Sequence, residues 1–216
     1  MDAVSVGAMG GVGARRVPSM VAQQEYLLQG SILDDSCEQL LHKLRGFCDN
    51  CDSSPETFHD HEMVFTIRAP NGSNTSLRVR KSLDVPHNPY HLRYLGQQEL
   101  GDKNRATIVR NCIDCSTSSD CVPFLQEMGF KLDYEFVLKG YMFRKGRMKV
   151  MVSKLFRVQP NAGPEALDPI SQSYLVELSV NAPSGQEGIA DEMKLFADSL
   201  KPLVILDKVD TRRLQM

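Results

Sequence analysis

Between Lys131 and Val158 apolar and polar residues alternate over two long runs. Leu132, Tyr134, Phe136 and Leu138 interleave with Asp133, Glu135 and Lys139, and a second run follows from Met148. Alternation at period two predicts strands with one buried face. The runs are separated by Arg144-Lys145-Gly146-Arg147, in which Gly146 supplies the positive φ of a tight turn. The stretch is read as one long antiparallel hairpin. A lone hairpin is marginal in water, so further strands are expected to pair outward from it.

Shorter patterns of both periods fill the rest of the chain. Glu25–Leu33 is a predicted strand, with Tyr26, Leu28 and Ile32 on one parity. Asp34 or Asp35 is expected to cap a helix over Ser36–Phe47, whose stripe is Leu40, Leu41, Leu44 and Phe47. Strands follow at Glu62–Arg68, with Met63, Phe65 and Ile67 inward, and at Ser76–Leu83, with Arg78 and Arg80 opposite Leu77 and Val79. Two more are expected at Tyr90–Leu95 and Ala106–Asp114. Ser118 or Ser119 opens a helix over Asp120–Met128, with Val122, Leu125 and Met128 as its stripe and Gly129 as its stop. Gln159–Ser171 reads as a loop and Tyr174–Val180 as a strand. Ile189–Leu200 is a helix with Ile189, Met193, Phe196, Ala197 and Leu200 on one side. Leu203–Val209 fits a strand or a short helix.

About eight strands and three helices result. No βαβ repetition appears, so a doubly wound sheet is not expected. The predicted class is α+β, predominantly antiparallel: a barrel-like sheet that removes its own edges, with helices on its flanks. Residues 23–216 form one such domain. Met1–Ala22 has no period and is rich in Gly, Ala, Val and Ser, so it is expected to be a disordered arm.

Charge changes the picture in one respect. The net charge is −2, yet Arg78 to Arg157 holds 15 Lys or Arg against 8 Asp or Glu, leaving 10 against 19 elsewhere. A basic middle lies between acidic ends. It reads either as a solvated rim or as a groove for an acidic partner. No apolar run reaches the ~20 residues of a membrane span, and no membrane role is expected. There is no tryptophan and no aromatic pair of the RNA-recognition type, so direct sequence-specific nucleic-acid binding is not expected.

Cys48-Asp49-Asn50-Cys51 and Cys112-Ile113-Asp114-Cys115 are both C-x-x-C, with Cys121, His59 and His61 as further ligand types. A four-cysteine zinc site is the sharp reading. Ordinary thiols in a reducing compartment are the preferred one, because Cys112 falls on a strand face beside Ile108. Neither a metal nor another cofactor is expected. A barrel lined by Arg78, Arg80, Arg93, Arg110, Lys149 and Arg157 would make a phosphate-binding tunnel. Metal-dependent hydrolysis there also needs carboxylates to hold the ion. The first strand offers only Glu25, followed on the same face by Leu27 and Gln29, and no paired carboxylates are expected on one strand face toward a groove. No catalytic residue is therefore assigned.

Several blocks carry a family resemblance. Glu25-Tyr26-Leu27-Leu28-Gln29-Gly30-Ser31, Leu44-Arg45-Gly46-Phe47-Cys48-Asp49-Asn50 and Asp60-His61-Glu62-Met63-Val64-Phe65 come first. His91-Leu92-Arg93-Tyr94-Leu95-Gly96-Gln97, Gly101-Asp102-Lys103-Asn104-Arg105 and Phe143-Arg144-Lys145-Gly146 follow. Ser173-Tyr174-Leu175-Val176-Glu177-Leu178-Ser179 and Leu200-Lys201-Pro202-Leu203 close the series. From Glu25 onward the chain resembles the eighteenth-subunit family of the Mediator coactivator complex. The resemblance implies a barrel similar to tunnel-type triphosphatases and a non-enzymatic, nuclear role in the Mediator head module. It implies pairing with the twentieth subunit, docking of a C-terminal helix of the eighth, contact with other head-module subunits, and bridging to RNA polymerase II. A metal-dependent triphosphate tunnel phosphohydrolase is the alternative. Candidate partner-binding residues are Leu40, Leu44, Ile189, Met193 and Phe196 as apolar anchors, with Arg144 and Lys145 at the hairpin tip.

Overall fold

The computed structural model describes residues 23–49, 54–70, 72–99, 105–159 and 167–209. The expected N-terminal arm, Met1–Ala22, lies outside the described residues. Among these, nine strands and three helices occur in the order β1 (Gln23–Leu33), α1 (Asp34–Phe47), β2 (Glu56–Arg68), β3 (Asn74–Ser82), β4 (Tyr90–Gln98), β5 (Ile108–Thr117), α2 (Cys121–Glu127), β6 (Lys131–Lys145), β7 (Met148–Arg157), β8 (Asp168–Pro169), β9 (Ser173–Pro183) and α3 (Ile189–Ser199). The sheet runs β6-β2-β3-β4-β5-β1-β9-β7 and closes through β6–β7, with the two-residue β8 extending along β7. Every pairing is antiparallel. The result is an eight-strand barrel with one short extra strand.

The hairpin forms as its pattern predicts, from Lys145↔Met148 to Phe136↔Arg157. Gly146 sits at the first turn position with φ +54°, and its N–H donates to Asp49 Oδ2 at 2.5 Å. The first third of β6 departs from expectation: Leu132 and Tyr134 are exposed. β7 ends opposite Phe136, so residues 131–135 have only β2 beside them. A bulge at Val64/Phe65 further breaks the alternation there.

The core lies outside the barrel wall. Tyr26, Leu28 and Ile32 of β1, Val150 and Val152 of β7, and Val176, Leu178 and Val180 of β9 face outward beneath α1 and α3. Leu40, Leu41 and Leu44 of α1 pack onto them, as do Ile189, Met193, Phe196 and Ala197 of α3. A second cluster gathers Phe65 and Val79 under Cys121 and Leu125 of α2. Met63, Phe65 and Ile67 therefore do not point inward as expected. Their parity is outward, and α2 covers Phe65, with Met63 packed at its edge. Met128 is exposed rather than part of the α2 stripe, because the helix ends at Glu127 and Cys121 takes the buried place.

Neither expected side-chain cap is made. Leu33 is the N-cap of α1 and Asp120 that of α2. Asp34 instead spends its carboxylate on Lys154, whose Nζ donates at 2.6 and 2.5 Å while lying over the Tyr174 ring. Leu203–Val209 is neither strand nor helix; a single bridge joins Gln29 to Asp207. That tail lies so close to β1 that a Cβ on Gly30 would stand 2.3 Å from the Ile205 carbonyl oxygen.

Candidate functional site: a charged barrel lumen

With the apolar faces turned outward, the opposite parity of each strand lines the interior. A cavity of about 730 Å³ runs there, bounded by Glu25 and Leu27 of β1, Asp60 and Glu62 of β2, Arg78 and Arg80 of β3, His91 and Arg93 of β4, Arg110 and Asp114 of β5, Lys149 and Met151 of β7, and Glu177 and Ser179 of β9. Five of the six basic residues proposed from sequence as a tunnel lining are in it. Arg157 is not: it is exposed at the end of β7.

Asp60 and Glu62 correct an expectation. They are two carboxylates on one strand face toward the lumen. The strand expected over Glu62–Arg68 stops short of Asp60, whereas β2 begins at Glu56. The signal was present in His59-Asp60-His61-Glu62, where alternation puts both acids on one side.

The deep carboxylates are each held by two arginines. Arg78 Nη1 donates to Glu62 Oε1 at 2.9 Å, and Arg80 donates to Oε2 through Nη2 at 2.7 Å and Nε at 3.1 Å. Arg93 Nη2 donates to Glu25 Oε1 at 2.8 Å and Arg110 Nε to Oε2 at 2.6 Å. Arg93 also lies 3.1 Å from Asp114 in an ion pair, and Glu177 accepts from Gln29 Nε2 at 2.8 Å. Burial pushes the Glu62 pKa up, but Arg80 and Arg78 outweigh it and hold the carboxyl below its ordinary value. For Asp60 burial wins over Arg80, and its pKa rises. Burial, reinforced by Arg93 and Arg80, lowers that of Lys149.

The arrangement stores charge rather than exposing a metal cradle. A carboxylate gripped by two guanidiniums has its oxygens engaged. Among the described residues, no group of three or more His, Cys, Asp and Glu is placed to hold a metal ion. The cysteines are dispersed: Cys48 joins the core at the end of α1, Cys121 belongs to α2 and packs in the second cluster, and Cys112 faces Arg93, with burial raising its pKa. Cys51 lies outside the described residues. His61 Nε2 pairs with Glu135 at 2.9 Å and His59 with Asp84 at 3.6 Å, at the rim.

The partner-binding candidates divide sharply. Leu40, Leu44, Ile189, Met193 and Phe196 are all buried against the chain's own sheet. Arg144 and Lys145 stand exposed at the hairpin tip, where Lys145 Nζ donates to Asp49 at 2.9 Å and Arg144 lies 4.0 Å from Glu56. No helix among the described residues is long and apolar enough to cross a membrane.

Fold and lumen together define a closed antiparallel barrel with its core on the outside and arginine-locked acids within. The family model of the Med18 protein matches residues 24–85 and 71–216, and the chain belongs to this family. A Xenopus tropicalis relative, "Mediator of RNA polymerase II transcription subunit 18", is 56% identical over 194 residues, covering 90% of this chain and 92% of its own. The Drosophila melanogaster protein of the same name is 54% identical over 192 residues, 88% of each chain. Among solved structures, a chain of the Schizosaccharomyces pombe Mediator head module superposes with a TM-score of 0.66 at 16% identity, covering 86% of this chain and 98% of that one. PH1819 protein from Pyrococcus horikoshii gives 0.55 at 14% identity, covering 88% and 97%. These two likenesses are of fold. The family is one of transcription-complex subunits, and the chain is not an enzyme.

Proposed function

We propose that this chain is a scaffold subunit of the Mediator head module that acts in the nucleus. It pairs there with the twentieth subunit, receives a C-terminal helix of the eighth, and links regulators to RNA polymerase II. The observation that carries the reading is family membership along nearly the whole described fold. The fold likeness to a head-module chain supports it. So does the lumen, whose deepest carboxylates, Glu25 and Glu62, are already gripped by arginines.

A closed barrel suits a scaffold, because its strand edges are paired with one another and its loops and hairpins project. The apolar candidates act in this reading by orienting α1 and α3 from below. Direct contact falls to exposed groups, of which Arg144 and Lys145 are the sequence-derived pair.

The test is recovery of the tagged full-length chain from nuclear extract, with its companions identified by mass spectrometry. Mediator subunits, the twentieth and eighth among them, are the expected companions. A chain recovered alone overturns the reading. Arg144→Glu with Lys145→Glu is expected to weaken binding to one of those two subunits, and unchanged recovery of both removes the tip from the interface. Incubation with nucleoside triphosphates and magnesium or manganese is expected to release no phosphate above background.

A further inference from the structure

Two features coincide at one end of the barrel. β1 pairs with β5 only as far as Gln23↔Cys112, whereas β4 stays beside β5 up to Tyr90↔Thr117. Among the described residues, 113–117 of β5 therefore have a neighbouring strand on one side only, and their other edge is open. β9 gives no cover, because its pairing with β1 ends at Gln23↔Pro183, and Pro183 lacks an N–H. The outer face beside that edge is apolar. Phe65, Leu77, Tyr94 and Ile113 form one cross-strand row over β2, β3, β4 and β5. Under α2, Phe65 is only 1% exposed, but exposure reaches 37% at Tyr94 and 47% at Ile113. An open edge next to exposed apolar side chains is a template for another strand.

We propose that residues 19–22, the last of the N-terminal arm, dock along this edge and continue β1 in register. Connectivity names the occupant. Gln23 already lies opposite Cys112, so the chain before it starts at the open edge, and a strand from another molecule would have to take the same line. In antiparallel register Ala22 falls opposite Ile113, Val21 opposite Asp114, Met20 opposite Cys115 and Ser19 opposite Ser116. Pro18 falls opposite Thr117, the last residue of β5. A proline gives no N–H to a ladder and suits a strand end, so the sequence stops the added strand where its template stops. Parity carries Ala22 and Met20 onto the outer face, the side on which Tyr26 and Leu28 lie. There Ala22 extends the apolar row past Ile113, and the long Met20 side chain reaches Ile113 diagonally. Docking closes the edge to foreign strands and narrows the disordered arm expected from composition to residues 1–17. The inference goes beyond the scaffold reading and does not rest on it, since it concerns the chain alone.

The experiment is hydrogen exchange, read by mass spectrometry, on the isolated full-length chain. Residues 113–117 are expected to exchange about tenfold more slowly than in the double variant Met20→Pro with Val21→Pro. Successive N–H groups of a strand alternate sides, so one of those two prolines removes a donor that faces β5. Val6→Pro, far from the edge in sequence, is expected to match the unaltered chain. Equal exchange in the double variant and the unaltered chain overturns the proposal, as does protection that arises only when another protein is added. A crosslink makes the test independent of the prolines. Met20→Cys places a thiol opposite the exposed Cys115, with Cβ atoms about 4.5–5.5 Å apart, and dibromobimane is expected to join the two, as located by peptide mapping. Ser19→Cys, of the opposite parity, is expected to stay unlinked to Cys115. No link from position 20, or an equal yield from position 19, overturns the register.

Discussion

Arg80→Met isolates the contact on which the interior depends most. Glu62 is almost fully buried, and Arg80 gives one of its oxygens two donors, at 2.7 and 3.1 Å. A hydrogen bond to a charged group contributes about 1.5–3 kcal/mol. The full sum is not lost, because Arg78 keeps its 2.9 Å contact and Arg80 is itself 30% exposed, so water takes part of its place. The expected cost is about 2–3 kcal/mol. For a chain of this size that is a Tm fall of roughly 4–12 °C. Arg80→Lys keeps the charge but not the fork, and should fall between wild type and Arg80→Met. Urea unfolding followed by far-UV circular dichroism measures both, and the cycle with Glu62→Gln measures their coupling. That coupling is expected to exceed about 1 kcal/mol, beyond the ~0.5 kcal/mol scatter of independent sites. Arg80→Met within about 0.5 kcal/mol of wild type, or strict additivity with Glu62→Gln, would falsify the assignment of Glu62 as an arginine-locked acid.

Acid unfolding should report the same residue. The folded pKa of Glu62 lies below its ordinary value, so its stabilisation is complete above the usual carboxylate range and drains as pH falls toward the depressed value. Glu62→Gln should flatten that part of a Tm-against-pH curve, and an unchanged slope counts against it. Gly140→Ala should cost about 3 kcal/mol, because its Cβ would stand 2.1 Å from the Val152 carbonyl oxygen and 2.8 Å from the Ser153 Cα across the β6–β7 ladder. A wild-type Tm there would mean the strands are not so closely appressed. Gly146→Val has open space around it but a φ of +54°, and should cost about 1–2 kcal/mol from backbone strain alone. Unperturbed unfolding of that variant would point to a different turn.

The strands were legible where alternation is strict and bounded. β1, β3 and the β6–β7 hairpin match their predicted spans closely, because Tyr26, Leu28 and Ile32, or Leu77 and Val79, keep one parity between turn residues. What the pattern does not reveal is which side of a closed sheet is the wet one. Met63, Phe65 and Ile67 looked inward because inside is ordinarily apolar. Here α2 covers that face, and the polar parity, Asp60 and Glu62, turns to the lumen. The basic lining was readable from Arg78, Arg80, Arg93, Arg110 and Lys149 once a barrel was assumed. Asp60 and Glu62 were legible in the alternation of His59-Asp60-His61-Glu62, but the grip of Arg80 on Glu62 appears only when β2 and β3 pair. Caps failed for a similar reason: Asp34 had a distant partner in Lys154, 120 residues away, that local sequence cannot announce.

β1 and β9 face each other over eleven residue pairs, from Gln23↔Pro183 to Leu33↔Ser173. During translation the first of these strands therefore waits for the last. At about 5–20 residues per second the delay is roughly 8–30 s, during which β1 and β7 each lack the neighbour that later separates them. The nascent polypeptide spends that interval as an incomplete half-cylinder with unpaired rims, the form most open to wrong association. A message truncated before Ser173 thus yields a product with no route to closure.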